Sequence, residues 1–212
     1  MPRDDLLREI RTALQHAGGR QAPEPPAVRL RIPAIDPEAR IRLFCEAVER
    51  LAGKAHRAVS AADACAYVSA VLHGGTAVAS GAGILHELGI AALPGVRTGL
   101  NSEGPLRSLC AVADLGITGA DYALADTGTL VMLASAEEAR MISLLPPTHL
   151  AVVARDRILT GLDELFSLLP HPDQQTSSMV LISGPSRTAD IEQILIRKVH
   201  GPGEVHVVVV DT

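Results

Sequence analysis

The sequence predicts an α/β fold: three layers around a mostly parallel sheet, with a β-hairpin inserted in its second half. Three observations carry that reading. Helix-period stripes alternate with short apolar runs from Asp36 onward. The last run, Val205–Val210, is apolar at nearly every position, as a strand covered on both faces is. The stretch Ala123–Asp126, Thr127-Gly128, Thr129–Leu133 sets two apolar runs around a turn, the pattern of an antiparallel hairpin.

Taken in order, residues 4–17 place Leu6, Leu7, Ile10 and Leu14 at helical spacing. Five prolines follow between Pro23 and Pro37, and proline lacks the N–H that regular elements require. The expected organisation is therefore a helix and extended arm over 1–35, then one α/β domain over 36–212. Packing of that helix on a partner and folding back onto its own domain fit equally well.

In the domain, Asp36 is placed to cap and Pro37 suits the first helical position. Ile41, Phe44, Cys45, Val48 and Leu51 then form one stripe that Gly53 ends. A strand near His56–Val59 precedes a helix carrying Cys65, Val68 and Leu72 on one face. Gly74-Gly75 leads into a strand at Thr76–Ser80. After the hairpin, Ser135 and Glu138 have the spacing of a capping box for a helix that Pro146-Pro147 stops. His149–Ala154 reads as a strand, Leu162–Leu169 as a helix, Met179–Ser183 as a strand and Ala189–Lys198 as a helix. No internal repeat is present.

Composition narrows the function. Nearly half of the 212 residues are hydrophobic but 2% are aromatic, so Val, Leu, Ile and Ala must build the core. A net charge of −5 gives no general attraction to nucleic acid or anionic membrane. No run approaches the ~18 apolar residues of a membrane span, and the charged N-terminus lacks the apolar core of a signal peptide. The expected setting is a reducing, cytoplasmic one. Cys45, Cys65 and Cys110 are scattered, with no Cys-x-x-Cys, and the eight histidines show no H-E-x-x-H. Neither a metal site nor an iron–sulfur cluster is expected in this chain. His206, in an apolar strand, reads as a satisfied core residue.

Two polar stretches stand out. SGPSRTADIE, at 183–192, lies between the expected strand and helix. Gly184 allows close backbone approach and Ser186 and Thr188 supply hydroxyls. Arg187 supplies a fixed charge, and a helix start would add unpaired N–H groups. That set suits a carboxylate or phosphate. A helix cap beside a solvated arginine fits as well. ADYALADTGTLV gathers Asp121, Asp126, Thr127 and Thr129 around Gly128. Two carboxylates fit acid–base work, yet the same residues are what a tight turn requires. His200, just beyond the last expected helix, is placed where its loop approaches the one at 183.

At GITGADYALADTGTLVMLAS (116–135), LLPPTHLAVV (144–153) and SGPSRTADIEQILIRKVHGPGEVHVVVVD (183–211), the sequence resembles the lactate utilization protein C, or LUD-domain, family. The opening LLREIRTAL is similar to that family's start. The resemblance implies a fold like the NagB/ribose-5-phosphate isomerase/CoA-transferase class. It also implies a part in bacterial oxidation of L-lactate to pyruvate beside iron–sulfur partner subunits, which would carry the clusters. It supplies no catalytic residue. Its motifs point to Asp126, Thr127, Gly128 and Thr129, and to Ser183, Gly184, Pro185, Ser186, Arg187, Thr188 and Asp190, as ligand-binding candidates. Asp121 and His200 are secondary ones.

Three functions follow. The first is a cluster-free accessory subunit of lactate oxidation that binds a small carboxylate or phosphate. The second is an enzyme acting on a sugar phosphate or an acyl-CoA, with Asp121 or Asp126 as base and Arg187 holding the anion. The third is a structural module whose polar loops are caps and turns.

Overall fold

The computed structural model describes residues 3–13, 32–99, 103–169, 176–189, 195–197 and 201–211. Two compact units divide the chain at residue 30. In the first, Arg3–Ala13 is a helix (α1) with Asp4 and Asp5 in its first turn, where carboxylates favour the positive helix end.

The second unit opens with α2, Pro37–Arg50. Asp36 caps it: one carboxylate oxygen accepts from the backbone N–H groups of Glu38 (3.0 Å) and Ala39 (3.2 Å). Ile41, Phe44, Ala47 and Val48 are its buried face, close to the expected stripe. Asp36→Ala should lower stability by about 1 kcal/mol, the usual worth of such a cap, and urea unfolding of the two proteins measures it.

Six parallel strands form the main sheet: β1 (Lys54–Ala58), β2 (Ala77–Ala79), β3 (Val96–Arg97), β4 (Leu115–Gly119), β7 (Thr148–Ala154) and β12 (Glu204–Val210). Their spatial order is β1-β12-β7-β4-β2-β3. The central strands β7 and β12 are buried almost throughout, which explains their unbroken apolar sequence. On one face, α3 (Ala61–Leu72) and the short α4 (Gly83–Glu87) pack through Ala64, Val68, Leu72 and Leu85 onto Ile117, Leu150, Val152 and Val208. On the other, Ile41, Phe44 and Val48 of α2 meet Ala151, Val153, Val207 and Val209. A further cluster on α5 (Glu103–Val112) and α6 (Met141–Leu144) joins Leu106, Cys110 and Ile142 to Val78. The expected α/β class holds.

The hairpin forms as expected, β5 (Tyr122–Leu124) running antiparallel to β6 (Thr129–Leu133). It is the middle of a second sheet of order β8-β5-β6-β9. Here β8 is Ile158–Leu159, and β9 is Met179–Ile182, antiparallel to β6. The 179–183 run thus belongs to the inserted sheet. Its apolar content looked the same from sequence because α7 (Leu162–Leu168) and this sheet share a small core of their own, Leu124, Val131, Leu159 and Leu165.

Two expected helices are corrected. The one at Ala189–Lys198 is replaced, among the described residues, by an antiparallel pair, β10 (Arg187–Ala189) and β11 (Leu195–Arg197). Thr188 and Ile196 are opposite each other in the register of that pair, and both residue types favour strands over helices. The helix expected from Ser135 shrinks to α6. Ser135 Oγ does accept from the backbone N–H groups of Glu137 and Glu138 (3.1 Å each), but Glu138 turns its carboxyl away from the turn. No helix among the described residues is long and apolar enough to cross a membrane.

Candidate functional site

Ligand sites of open parallel sheets lie outside the carboxyl ends of the strands. Here β2 ends at Ser80-Gly81, β4 at Gly119–Asp121, and β7 runs on into Asp156 and Arg157. The segment after β6 lays Ser135, Glu137 and Glu138 over those ends, and with Ala82, Gly83 and Ile84 beyond β2 it lines an open cavity of about 580 Å³. The overlying segment is held at close range: Gly81 N–H donates to the Glu137 carbonyl at 2.9 Å. Gly119 has no room for a side chain, since a Cβ there would sit 2.8 Å from Ala82 Cβ.

Glu138 is the most perturbed group in this cavity. Its Oε1 accepts from Ser80 Oγ at 2.7 Å and from Gly119 N–H at 2.9 Å. Its Oε2 is buried without a partner. Burial pushes the carboxyl up to about 7, the negative charges of Asp121 and Glu137 add to the rise, and the two hydrogen bonds oppose it. Ser80 is itself 1% exposed. Asp121 Oδ2 accepts from Leu133 N–H at 2.7 Å, and burial still holds that carboxyl above the ordinary range. Glu87, Asp156 and Arg157 complete the charges around the cavity. The Arg157 guanidinium lies 5.5 Å over the Tyr122 ring and is the one cation among the described lining residues.

Of the described candidates expected from sequence, Asp121 alone lines this cavity. The other two groups are brought to each other instead. Thr129 Oγ1 and Ser183 Oγ are 2.8 Å apart, Thr129 donates to Thr127 at 2.8 Å, and Thr127 to Asp126 Oδ1 at 3.1 Å. Gly128 and Gly184 both press on the end of α2: a Cβ would lie 2.6 Å from Val48 N in the first case and 2.9 Å from Leu51 Cβ in the second. Arg187 is exposed and donates to the Leu51 carbonyl. Pro185 is buried, and Ser186 N–H donates to the Pro202 carbonyl at 2.9 Å, so the loops after β9 and before β12 do meet. Thr188 lies in β10; Asp190 and His200 fall outside the described residues. Where a helix start was expected to hold an anion, the described residues Arg187–Ala189 form strand β10.

His206 is a core residue as expected, 5% exposed with Nδ1 3.0 Å from Tyr67 Oη. Burial raises the thiols of Cys45, Cys65 and Cys110, as fits small apolar side chains rather than nucleophiles. Glu138 was missed because Ser-x-x-Glu is already explained by a local turn. Its partner Ser80 is 58 residues away, and the available signal was only the small pair Ser80-Gly81 at a strand end.

Fold and cleft together describe an α/β protein with a polar site over its sheet, and comparison gives the family. The LUD domain family matches residues 41–210, and the chain belongs to it. Over 103 residues, 47% of this chain and 45% of the relative, it is 38% identical to lactate utilization protein C of Halalkalibacterium halodurans. Its identity to the protein of that name from Exiguobacterium sp. is 39% over 108 residues, 49% of this chain and 47% of the relative. The chain thus spans less than half the length of these curated relatives. A crystal structure of a DUF162 family protein from Deinococcus radiodurans superimposes with a TM-score of 0.62 at 20% identity, covering 83% of this chain and 99% of that one. It shares the fold.

Proposed function

We propose that this protein serves lactate utilization as a cluster-free subunit beside iron–sulfur partners in the cytoplasm, holding a small carboxylate in the cleft at the carboxyl ends of β2, β4 and β7. Kinship with proteins named lactate utilization protein C supports the process. The observation that carries the site is the cavity itself, placed where this sheet architecture puts ligands and containing a partly satisfied, buried carboxyl. Arg157 offers one fixed charge to a carboxylate.

The cleft is preferred to the loop at 183–190 for two reasons. Arg187 already donates to a backbone carbonyl, and it opens a strand rather than a helix. The reading as an enzyme of sugar phosphates or acyl-CoA loses support, since five carboxyl groups surround one guanidinium among the described lining residues and a polyanion meets more repulsion there than a single carboxylate does. Lactate-dependent reduction of an electron acceptor, measured with the reconstituted partners, should fall at least about tenfold when this chain is left out. Full activity without it would remove the chain from the reaction.

A further inference from the structure

Residues 135–138 are anchored at both sides by contacts away from the ends of β2 and β4. Ala134 N–H donates to the Ser178 carbonyl at 2.9 Å, and Ala139 packs on the cluster of Leu106, Cys110 and Ile142. Between these anchors Ser135, Ala136 and Glu137 are exposed. Among the described residues, three hydrogen bonds tie the stretch to the strand ends. Gly81 N–H donates to the Glu137 carbonyl at 2.9 Å, and Glu138 Oε1 accepts from Ser80 Oγ at 2.7 Å and from Gly119 N–H at 2.9 Å. Two of the three run through one carboxyl. A stretch held this way, with little apolar burial of its own, opens locally at less cost than global unfolding.

That carboxyl is closed in by the same arrangement. Its Oε2 is buried without a partner, and Asp121 after β4 and Glu137 beside it add negative charge. Glu87 from α4, and Asp156 and Arg157 after β7, line the adjoining cavity. Arg140, past the second anchor, donates to Ser178 Oγ at 3.2 Å. An ionised Glu138 would thus be a buried charge without a cation against it, whereas the neutral form lacks only a hydrogen bond. We propose that residues 135–138 form a pH-gated strap over the carboxyl ends of β2 and β4, closed while Glu138 is neutral and lifting between its anchors at Ala134 and Ala139 when Glu138 ionises. The strap forms one wall of the cavity, so lifting it widens the cleft and brings the carboxylate into water. This holds whatever the cleft binds.

With the strap open the carboxyl ionises at its ordinary 4.5, and with it closed at about 7. Below 4.5 both forms hold the proton and closure is at its strongest. Between the two values closing takes up a proton, so each unit of rise in pH weakens closure by up to about tenfold; above 7 little more is lost. Hydrogen exchange of the Gly81 and Gly119 amides, followed by NMR on the full chain and corrected for intrinsic rates, reads the opening. Their protection should fall at least about tenfold from pH 5 to pH 6.5, while Val208 in the middle of β12 keeps its own. Glu138→Gln cannot ionise, so its two glycines should show no such fall. Glu137→Gln should keep the wild-type slope, because Glu137 ties the strap through its backbone carbonyl. Constant protection of Gly81 and Gly119 in the wild type would overturn the strap. A fall shared equally by Val208 would overturn it too, since the whole fold would then be opening. A wild-type slope retained in Glu138→Gln would remove Glu138 as the trigger. Should the new amide hold the strap open at every pH, its profile is still flat, and the wild-type fall with Val208 unchanged decides the matter.

Discussion

Gly128→Ala should destabilise the protein by roughly 3 kcal/mol or more, through two separate effects. The residue lies in the turn between β5 and β6 with φ of 66°, a region that costs an alanine about 1–2 kcal/mol. Its new Cβ would also face backbone atoms of α2, 2.6 Å from Val48 N and 2.7 Å from the Ala47 carbonyl carbon. Backbone of a packed helix cannot swing aside as a side-chain tip can, and forced overpacking typically adds about 1–3 kcal/mol. Domains hold about 5–15 kcal/mol in all, so the loss is a large fraction. Gly184→Ala should act in the same direction, since φ is 81° and the Cβ would approach Leu51 Cβ at 2.9 Å. The two substitutions push on neighbouring positions at the C-terminal end of α2, Ala47 and Val48 in one case and the cap residue Leu51 in the other. One outward shift of that helix end would relieve both, so the double variant should lose less than the sum. Urea unfolding of the two single variants and the double one measures this. A Gly128→Ala protein as stable as the wild type would show that the turn does not lean on α2.

These glycines show what the sequence could and could not tell. The turn Asp126–Thr129 and the loop Ser183–Arg187 stand out in the sequence as ligand-binding candidates, and the structure places Gly128 and Gly184 against the end of α2. Their strictness reads equally as ligand contact or as close packing, because both need a residue without a side chain. Only the three-dimensional neighbours separate the two, and here they are Ala47, Val48 and Leu51. The main sheet was legible because β7 and β12 are covered on both faces and stay apolar throughout. β3, two residues long, and α4, five residues long, carry too few positions for any periodicity to register. Ala189–Lys198 fitted a helix by apolar spacing, and cross-strand pairing at Thr188–Ile196 overrode that local preference.

The buried carboxyl of Glu138 makes stability depend on pH even without a ligand. Glu138 rises from 4.5 when unfolded to about 7 when folded. Between those values the folded protein holds a proton that the unfolded chain has lost, so its contribution is complete below 4.5 and disappears as pH rises through 7. At about 1.4 kcal/mol per pH unit the swing is about 3 kcal/mol. His149 works in the opposite sense. It is fully buried, its Nε2 is 2.8 Å from Thr118 Oγ1, and its Nδ1 has no partner, so burial holds it down at about 4 against 6.5 when unfolded. As pH falls below 6.5 the unfolded chain gains a proton that the folded one refuses, and stability falls until about 4. The two slopes oppose each other over the shared window from 4.5 to 6.5, so together they leave little pH dependence there. Glu138→Gln removes one of them. Relative to wild type, the variant should gain about 3 kcal/mol between pH 4.5 and pH 8, whatever fixed offset the new amide introduces. Urea unfolding of both proteins at several pH values reads that difference directly. A difference that stays constant across this range would mean that Glu138 is ionised in the folded protein at pH 5 and that the cleft is wetter than its geometry implies.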